Sequence, residues 1–264
     1  MLTFIILICF GILSGLLAIL FGFGGGFIIV PLLYHLSGAA HNQYSMHIAV
    51  STSVVIMIIN SLNTTVKSHR HNKIIWPMIL PLILYIAIGA ILGVFIAQFI
   101  SSKVIHWLFI IFMLYTIVTC INNKKFVQHS DANLKLITKS QHLWLGLIIG
   151  AISSILGVGG SLMTVPLLRN FGVKMANAVA MANPLSLAVA LISSIGYSVL
   201  ALSHHIDLGK YYLGFIYLPA LLLLTTGGSI GILIGHKLSD FLSDRLHAKI
   251  YIASLILVFL IMLI

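Results

Sequence analysis

Glutamate is absent from this chain, and aspartate occurs only four times in 264 residues. Charged residues of all kinds make up 7%, against about 25% in a soluble domain, so the chain cannot cover a water-facing surface. That excludes a cytosolic enzyme, a nucleic-acid binder and a disordered protein. The two cysteines, Cys9 and Cys120, both sit inside apolar runs, which leaves neither a disulfide framework nor a CxxC metal site. No GK[ST] follows a glycine cluster, and Gly22-x-Gly24-x-x-Phe27 breaks the dinucleotide fingerprint. No HExxH or comparable spacing occurs among the twelve histidines. No cofactor, metal or nucleic-acid partner is expected; the lipid bilayer is.

What is present is apolar sequence, 60% of the chain. Apolar segments fall at about 2–20, 27–36, 47–66, 74–100, 104–121, 143–156, 162–171, 177–202, 211–236 and 246–264. They are unbroken runs rather than the alternating ten-residue segments of an outer-membrane barrel, so the expected fold is an all-α integral membrane protein. The first run has no basic segment before it and no small-residue cleavage site, and reads as a retained span. One long polar stretch, 122–142, divides the chain into a first membrane repeat at 1–121 and a second at 143–264.

These halves resemble each other. Gly11-x3-Gly15-x6-Gly22-Phe23-Gly24-Gly25-Gly26 leads to Val30-Pro31-Leu32-Leu33, and Gly146-x3-Gly150-x6-Gly157-Val158-Gly159-Gly160-Ser161 leads to Val165-Pro166-Leu167-Leu168. Further on, Ala49-Val50 pairs with Ala178-Val179, Pro81 with Pro219, and Gly89-x3-Gly93 with Gly227-x3-Gly231. Charge then orients the halves. If 2–20 and 27–36 form a hairpin that returns to its starting side, the loops at 67–73, 122–142, 169–176 and 237–249 share one face. They carry twelve of the fourteen basic residues, leaving only Lys103 and Lys210 opposite. Counting 1–36 as a single span splits them 8 to 6. Basic loops are cytoplasmic, so the hairpin arrangement is favoured, with both termini outside and the linker inside. Each half becomes a hairpin plus three full spans, which inverts one half relative to the other, as in many secondary transporters. The ten to twelve residues of each second arm span roughly 15–18 Å at 1.5 Å per residue, so each glycine tip is expected within the membrane.

Glycine tips leave backbone N–H groups uncovered, and these open the short helices ending near Pro31 and Pro166. A helix N-terminus with unpaired donors suits an anion. Gly11/Gly15, Gly89/Gly93, Gly146/Gly150 and Gly227/Gly231 read instead as close-packing motifs. The paired GxGGG…VP motifs at 22–31 and 157–166, with Ala-Val-Ser-Thr-Ser at 49–53, resemble the sulfite exporter TauE/SafE family along essentially the whole chain. That resemblance implies transport of small anions such as sulfite or sulfonates. The second half departs from it at Ala178-Val179-Ala180-Met181-Ala182, which lacks the hydroxyls of the first.

Candidate substrate contacts are therefore Gly22, Gly24, Gly25, Gly26, Gly157, Gly159, Gly160 and Ser161 at the tips. Ser53, Asn60 and Thr64 join them on one helical face, with Thr52 and Asn63 at its edges. In the other half, Asn183, Ser186, Ser193 and Ser194 offer a looser set. Asp131, Asp207, Asp240 and Asp244 all read as linker or loop residues, so a carboxylate-driven pump is not expected, and transport should survive their replacement by Asn. His69, His71, His129, His142, His204 and His205 read as interfacial, and Trp76, Trp107 and Trp144 as interfacial anchors. The reading is a secondary transporter, not an enzyme. An anion channel on the same scaffold and a membrane enzyme built on His35, His41 and His47 are the alternatives.

Overall fold

A computed structural model of the chain describes residues 2–36, 44–123, 126, 139–203, 208–239 and 242–263. Most of the 122–142 linker, and with it Asp131 and His129, lies outside the described residues, as do His41, His204, His205, Asp207 and Asp240. The described residues form α1 (Leu2–Phe21), α2 (Gly26–Leu36), α3 (Ser45–Arg70), α4 (Trp76–Ala97) and α5 (Ser102–Asn122). The second half supplies α6 (Lys139–Leu156), α7 (Ser161–Asn170), α8 (Met175–Ser203), α9 (Leu218–Ser239) and α10 (Asp244–Leu263). Seven of these, α1, α3, α4, α5, α8, α9 and α10, are long and apolar enough to cross a membrane.

Apolar sequence becomes helix here because a backbone in lipid must satisfy its own hydrogen bonds. α3 is the most enclosed: 78% of its most apolar window is buried, against 33–44% in the other spans. It is also the span richest in Ser, Thr and Asn, which a lipid-facing helix could not carry cheaply. The outer helices instead expose large apolar side chains such as Phe95, Ile111, Leu222 and Leu257.

The halves exchange partners. α1 packs along α9 of the other half, and α6 packs along α4. Glycine makes both contacts possible. A methyl on Gly11 would lie 2.9 Å from the Leu224 carbonyl oxygen, and one on Gly15 would strike the Gly228 backbone. In the matching interface, methyls on Gly89 and Gly150 would strike the carbonyls of Leu147 and Ile86. The packing role expected of these motifs is what they have.

α3 and α8, which occupy equivalent places in the repeat, run antiparallel. Ile48 near the start of α3 packs with Ala201 near the end of α8, while Lys67 near the end of α3 shares a cleft with Ala176 at the start of α8. One expectation fails between α8 and α9. The apolar segment at 211–236 is not all helix, because Tyr212–Leu213 (β1) and Ile216–Tyr217 (β2) form a small antiparallel hairpin. Gly214, at φ +58, makes its turn. The Tyr217 N–H donates to Thr52 Oγ1 at 3.0 Å, so Thr52 ties α3 to the start of α9.

Gly15→Ala and Gly150→Ala should each destabilise the protein by about 1–3 kcal/mol, the usual cost of overpacking, because the obstacle is backbone that cannot rotate away. Gly160→Ala is the control: its φ is −70 and its nearest neighbour would be 3.4 Å away. Thermal unfolding in one detergent should lower the midpoint for the first two and leave it unchanged for the third.

Candidate functional site

Two hairpins, α1–α2 and α6–α7, turn through glycine. Gly22, Gly24 and Gly25 take φ of +74, +62 and +91, and Gly157 and Gly159 take +68 and +69. A side chain at any of these would be strained. The Gly22 N–H closes α1 on the Ala18 carbonyl at 2.9 Å, and the Gly157 N–H closes α6 on Ser153 at the same distance. α2 then opens with Ile28 and Ile29 donating to the Gly25 carbonyl, as α7 opens with Met163 and Thr164 donating to Gly160. Between these bonds, the N–H groups of Gly24, Gly25, Gly26, Gly159, Gly160 and Ser161 donate to no backbone carbonyl among the described residues. Such orphan donors are inherent to a helix start, but here all of them are buried.

The tips meet. A methyl on Gly26 would lie 2.5 Å from the Gly157 carbonyl oxygen. α3 and α8 hold them from either side in matching ways. Gly157 rests on Val50 and Ser53, and Gly22 on Val179 and Ala182, which is the same pair of positions in the repeat. Ser53 Oγ donates to the Gly157 carbonyl at 3.0 Å and to its own helix at Val50. Ala182 has no hydroxyl to do the same for Gly22. Ser186, one turn further along α8, donates to the Gly22 carbonyl at 3.5 Å instead. The hydroxyl missing from the second half has moved by a turn.

The polar side chains are unevenly distributed. Asn60 is fully buried, with its Nδ2 at 2.7 Å from the place a Gly25 methyl would take and its Oδ1 at 2.7 Å from that of Gly228. Neither amide atom has a hydrogen-bond partner. Ser61 Oγ, against Gly24, and Ser161 Oγ are buried and unpartnered as well. Ser61 escapes a reading that follows only seven- and four-residue spacings, although it adjoins Asn60 and continues its face.

Other candidate residues bond elsewhere or lie apart from the turns. Thr64 Oγ1 donates to the Asn60 and Ser61 carbonyls of its own helix, so it offers no free proton. Asn63 is exposed. Asn183 is buried, but its Nδ2 bonds back to Val179 at 3.3 Å, leaving only Oδ1 unpartnered. Ser194 likewise bonds back to Leu191. His35 bonds to the Ile261 carbonyl and His47 to Ser102 and Ala97, so the structure does not bring these two together. His142, near the start of α6, is buried, with its Nε2 on the Met78 carbonyl at 3.2 Å.

Asp244 is not a loop residue. It is the first residue of α10, where Oδ1 accepts the Met175 N–H at the start of α8 and Oδ2 lies 2.9 Å from Arg169 Nη1. Arg169, expected in the loop at 169–176, is 3% exposed and also donates to the carbonyls of Phe126 and Val173. This ion pair fastens the end of α7 to α8 and α10, and so fixes the base of the second hairpin.

These features define a multi-pass α-helical membrane protein with two apposed glycine turns at its centre. The chain belongs to the Sulfite exporter TauE/SafE family, whose profile matches residues 7–262. It is 26% identical to a protein of Methanocaldococcus jannaschii over 252 residues, covering 95% of this chain and 91% of the relative. It is 28% identical to one of Haemophilus influenzae over 232 residues, covering 85% of each. Both relatives are named probable membrane transporter protein. No solved structure matches significantly.

Two outcomes separate support from binding. Asp244→Asn should cost about 1–3 kcal/mol, less than the ~3–5 of a fully buried pair, because the Asp244 side chain is 27% exposed. Asn60→Ala should leave unfolding stability unchanged or slightly raised, since it removes an amide whose unpaired burial costs about 1–3 kcal/mol. Denaturation midpoints of the two variants against wild type test both.

Proposed function

We propose that this protein is a secondary transporter for a small anion of the sulfite, sulfonate or other organosulfur class. The observation that carries this reading is the pairing of unused backbone N–H groups at two touching glycine turns with the unpartnered Asn60 amide beside them. An anion satisfies such donors, and neutral amides and hydroxyls bind it without an opposing charge that would trap it. The proposed contacts are Gly24, Gly25, Gly26 and Asn60 from the first half, joined by Ser61, with Gly159, Gly160 and Ser161 from the second; Gly22 and Gly157, whose N–H groups close α1 and α6, shape the turns instead. Ser53 acts as a brace for the second tip, and Asn183, whose Nδ2 is bonded to Val179, has only an acceptor left and offers the anion no donor.

In this reading residues 1–121 and 143–264 are inverted repeats around a cytoplasmic linker at 122–142, each a hairpin plus three crossings. The antiparallel course of α3 and α8 supports it, as does the exchange of partners between halves. Three of the four basic loops also converge on one end of the bundle, at Lys67–Lys73, Ala176 and His236–His247. Both termini then face outward, and the arms α2 and α7 reach only part-way across the bilayer. Because every tip residue is buried, the substrate enters and leaves only when the elements around the tips move. Rocking of one helix set against the other gives alternating access.

Reconstituted protein should accumulate radiolabelled sulfite or a sulfonate in proteoliposomes against its gradient. Asn60→Ala should reduce that uptake at least tenfold without loss of folded protein, on the order expected for one hydrogen bond to a charged ligand. Normal uptake by this variant would remove Asn60 from the site. Uptake that only equilibrates would make the protein a channel. Thiol labelling of single cysteines placed in 127–138 should occur from the cytoplasmic side; labelling from outside would defeat the inverted arrangement.

A further inference from the structure

Glycines of both turns converge on one side chain, Met57 of α3. A methyl on Gly24 would strike its Cγ and stand 3.0 Å from its Sδ. One on Gly159 would lie 2.7 Å from the same sulfur, and one on Gly26 3.4 Å. Met57 is fully buried and clusters with Val54 of its own helix and Ala190 of α8. It precedes Asn60 and Ser61 by three and four residues, so it shares their helical face. The thioether therefore stands between the two turns, against glycines whose N–H groups donate to no backbone carbonyl among the described residues.

A thioether satisfies little in that position. Sulfur is a weak acceptor, and the Asn60 amide on the same face keeps no partner. Methionine is also unbranched and rotates freely, so its side chain can leave a space without its helix moving. At the equivalent place in the repeat α8 carries Ser186, whose Oγ is 3.0 Å from where a Gly159 methyl would stand. The gap between the turns is thus filled from α3 by a long side chain and lined from α8 by short ones. We infer that Met57 is a plug: its side chain holds the anion's place between the turns and rotates aside when the anion binds. The inference rests on the transport reading above, which makes the turns the site. Rocking opens the route, and rotation of Met57 clears the seat. The plug competes with the anion, so only the fraction of molecules whose side chain has moved away can bind, and apparent affinity is reduced by that fraction. The room that Met57 vacates also limits the size of the substrate, which makes it a specificity-determining residue.

Full-length protein in nanodiscs of zwitterionic phosphatidylcholine is titrated calorimetrically with sodium sulfite and with sodium ethanesulfonate. Met57→Ala should bind sulfite about fivefold or more tightly than wild type, and should gain more for ethanesulfonate than for sulfite. Its thermal midpoint should fall at the same time, because a buried side chain has been truncated. A residue that only packs would lose stability without gaining affinity. Met57→Ile, which is stiff at χ1, should weaken both anions about tenfold. Met57→Ser takes the place of Met57→Ala if that variant does not fold. Sulfite affinity at or below that of wild type in the truncated variant overturns the proposal, and so does an unchanged preference between the two anions. Asn60→Ala, titrated alongside, tells the two failures apart. If it loses binding while the truncated variant gains none, the turn site stands without a plug. If it and the Met57 variants all bind both anions as wild type does, or none of these proteins binds either anion, the turn site falls and the plug with it.

Discussion

At Gly15 and Gly150 the backbone of one helix lies directly on a backbone carbonyl of its neighbour, and the centre of the molecule depends on those approaches. In lipid, apolar side chains gain little by touching each other rather than acyl chains, so association must come from close van der Waals contact. Small residues allow it. With α1 seated on α9 and α6 on α4, the two hairpins are brought in from opposite halves until Gly26 faces the Gly157 carbonyl. Only then are the unpaired N–H groups of both turns enclosed rather than left facing hydrocarbon.

The two turns are alike in backbone and unlike in surroundings. Ser53 and Ser186 each brace the opposite half's turn, from positions one helical turn apart in the repeat. Asn60 and Ser61 have no polar counterparts, because the matching places in α8 are Val189 and Ala190. The unpartnered polar side chains beside the turns therefore come more from α3 than from α8. A central helix that is enclosed by the others can carry this polarity; any of the lipid-facing spans would have lost stability by it.

Much of this was legible in the sequence because glycine and proline act locally. The short arms, the turn positions and the helix limits follow from where those residues fall, and the repeat follows from their register. Long-range facts were not. Which helix receives Gly15 is decided by packing across the two halves, and nothing in the local pattern of α1 names α9. Thr64 and Asn183 are as fully buried as Asn60, but a helical hydroxyl or amide can bond back to its own turn, and spacing does not distinguish the two outcomes. Arg169 reads as a loop cation because its partner, Asp244, lies far along the chain. The β1–β2 hairpin hides inside an apolar run that periodicity alone assigns to helix.

The exchange of partners between halves also has a bearing on how the protein is made. α1 and α9 are separated by roughly 200 residues of sequence, so at about 5–20 residues per second the interval before α9 is synthesised is on the order of ten to forty seconds. Throughout that time the glycine face of α1 has nothing to close against, and α2 cannot bury its orphan donors between α3 and a second hairpin that does not yet exist. The first half thus leaves the ribosome as an unfinished object. Its assembly is a late, concerted event, triggered by the arrival of the last two helices.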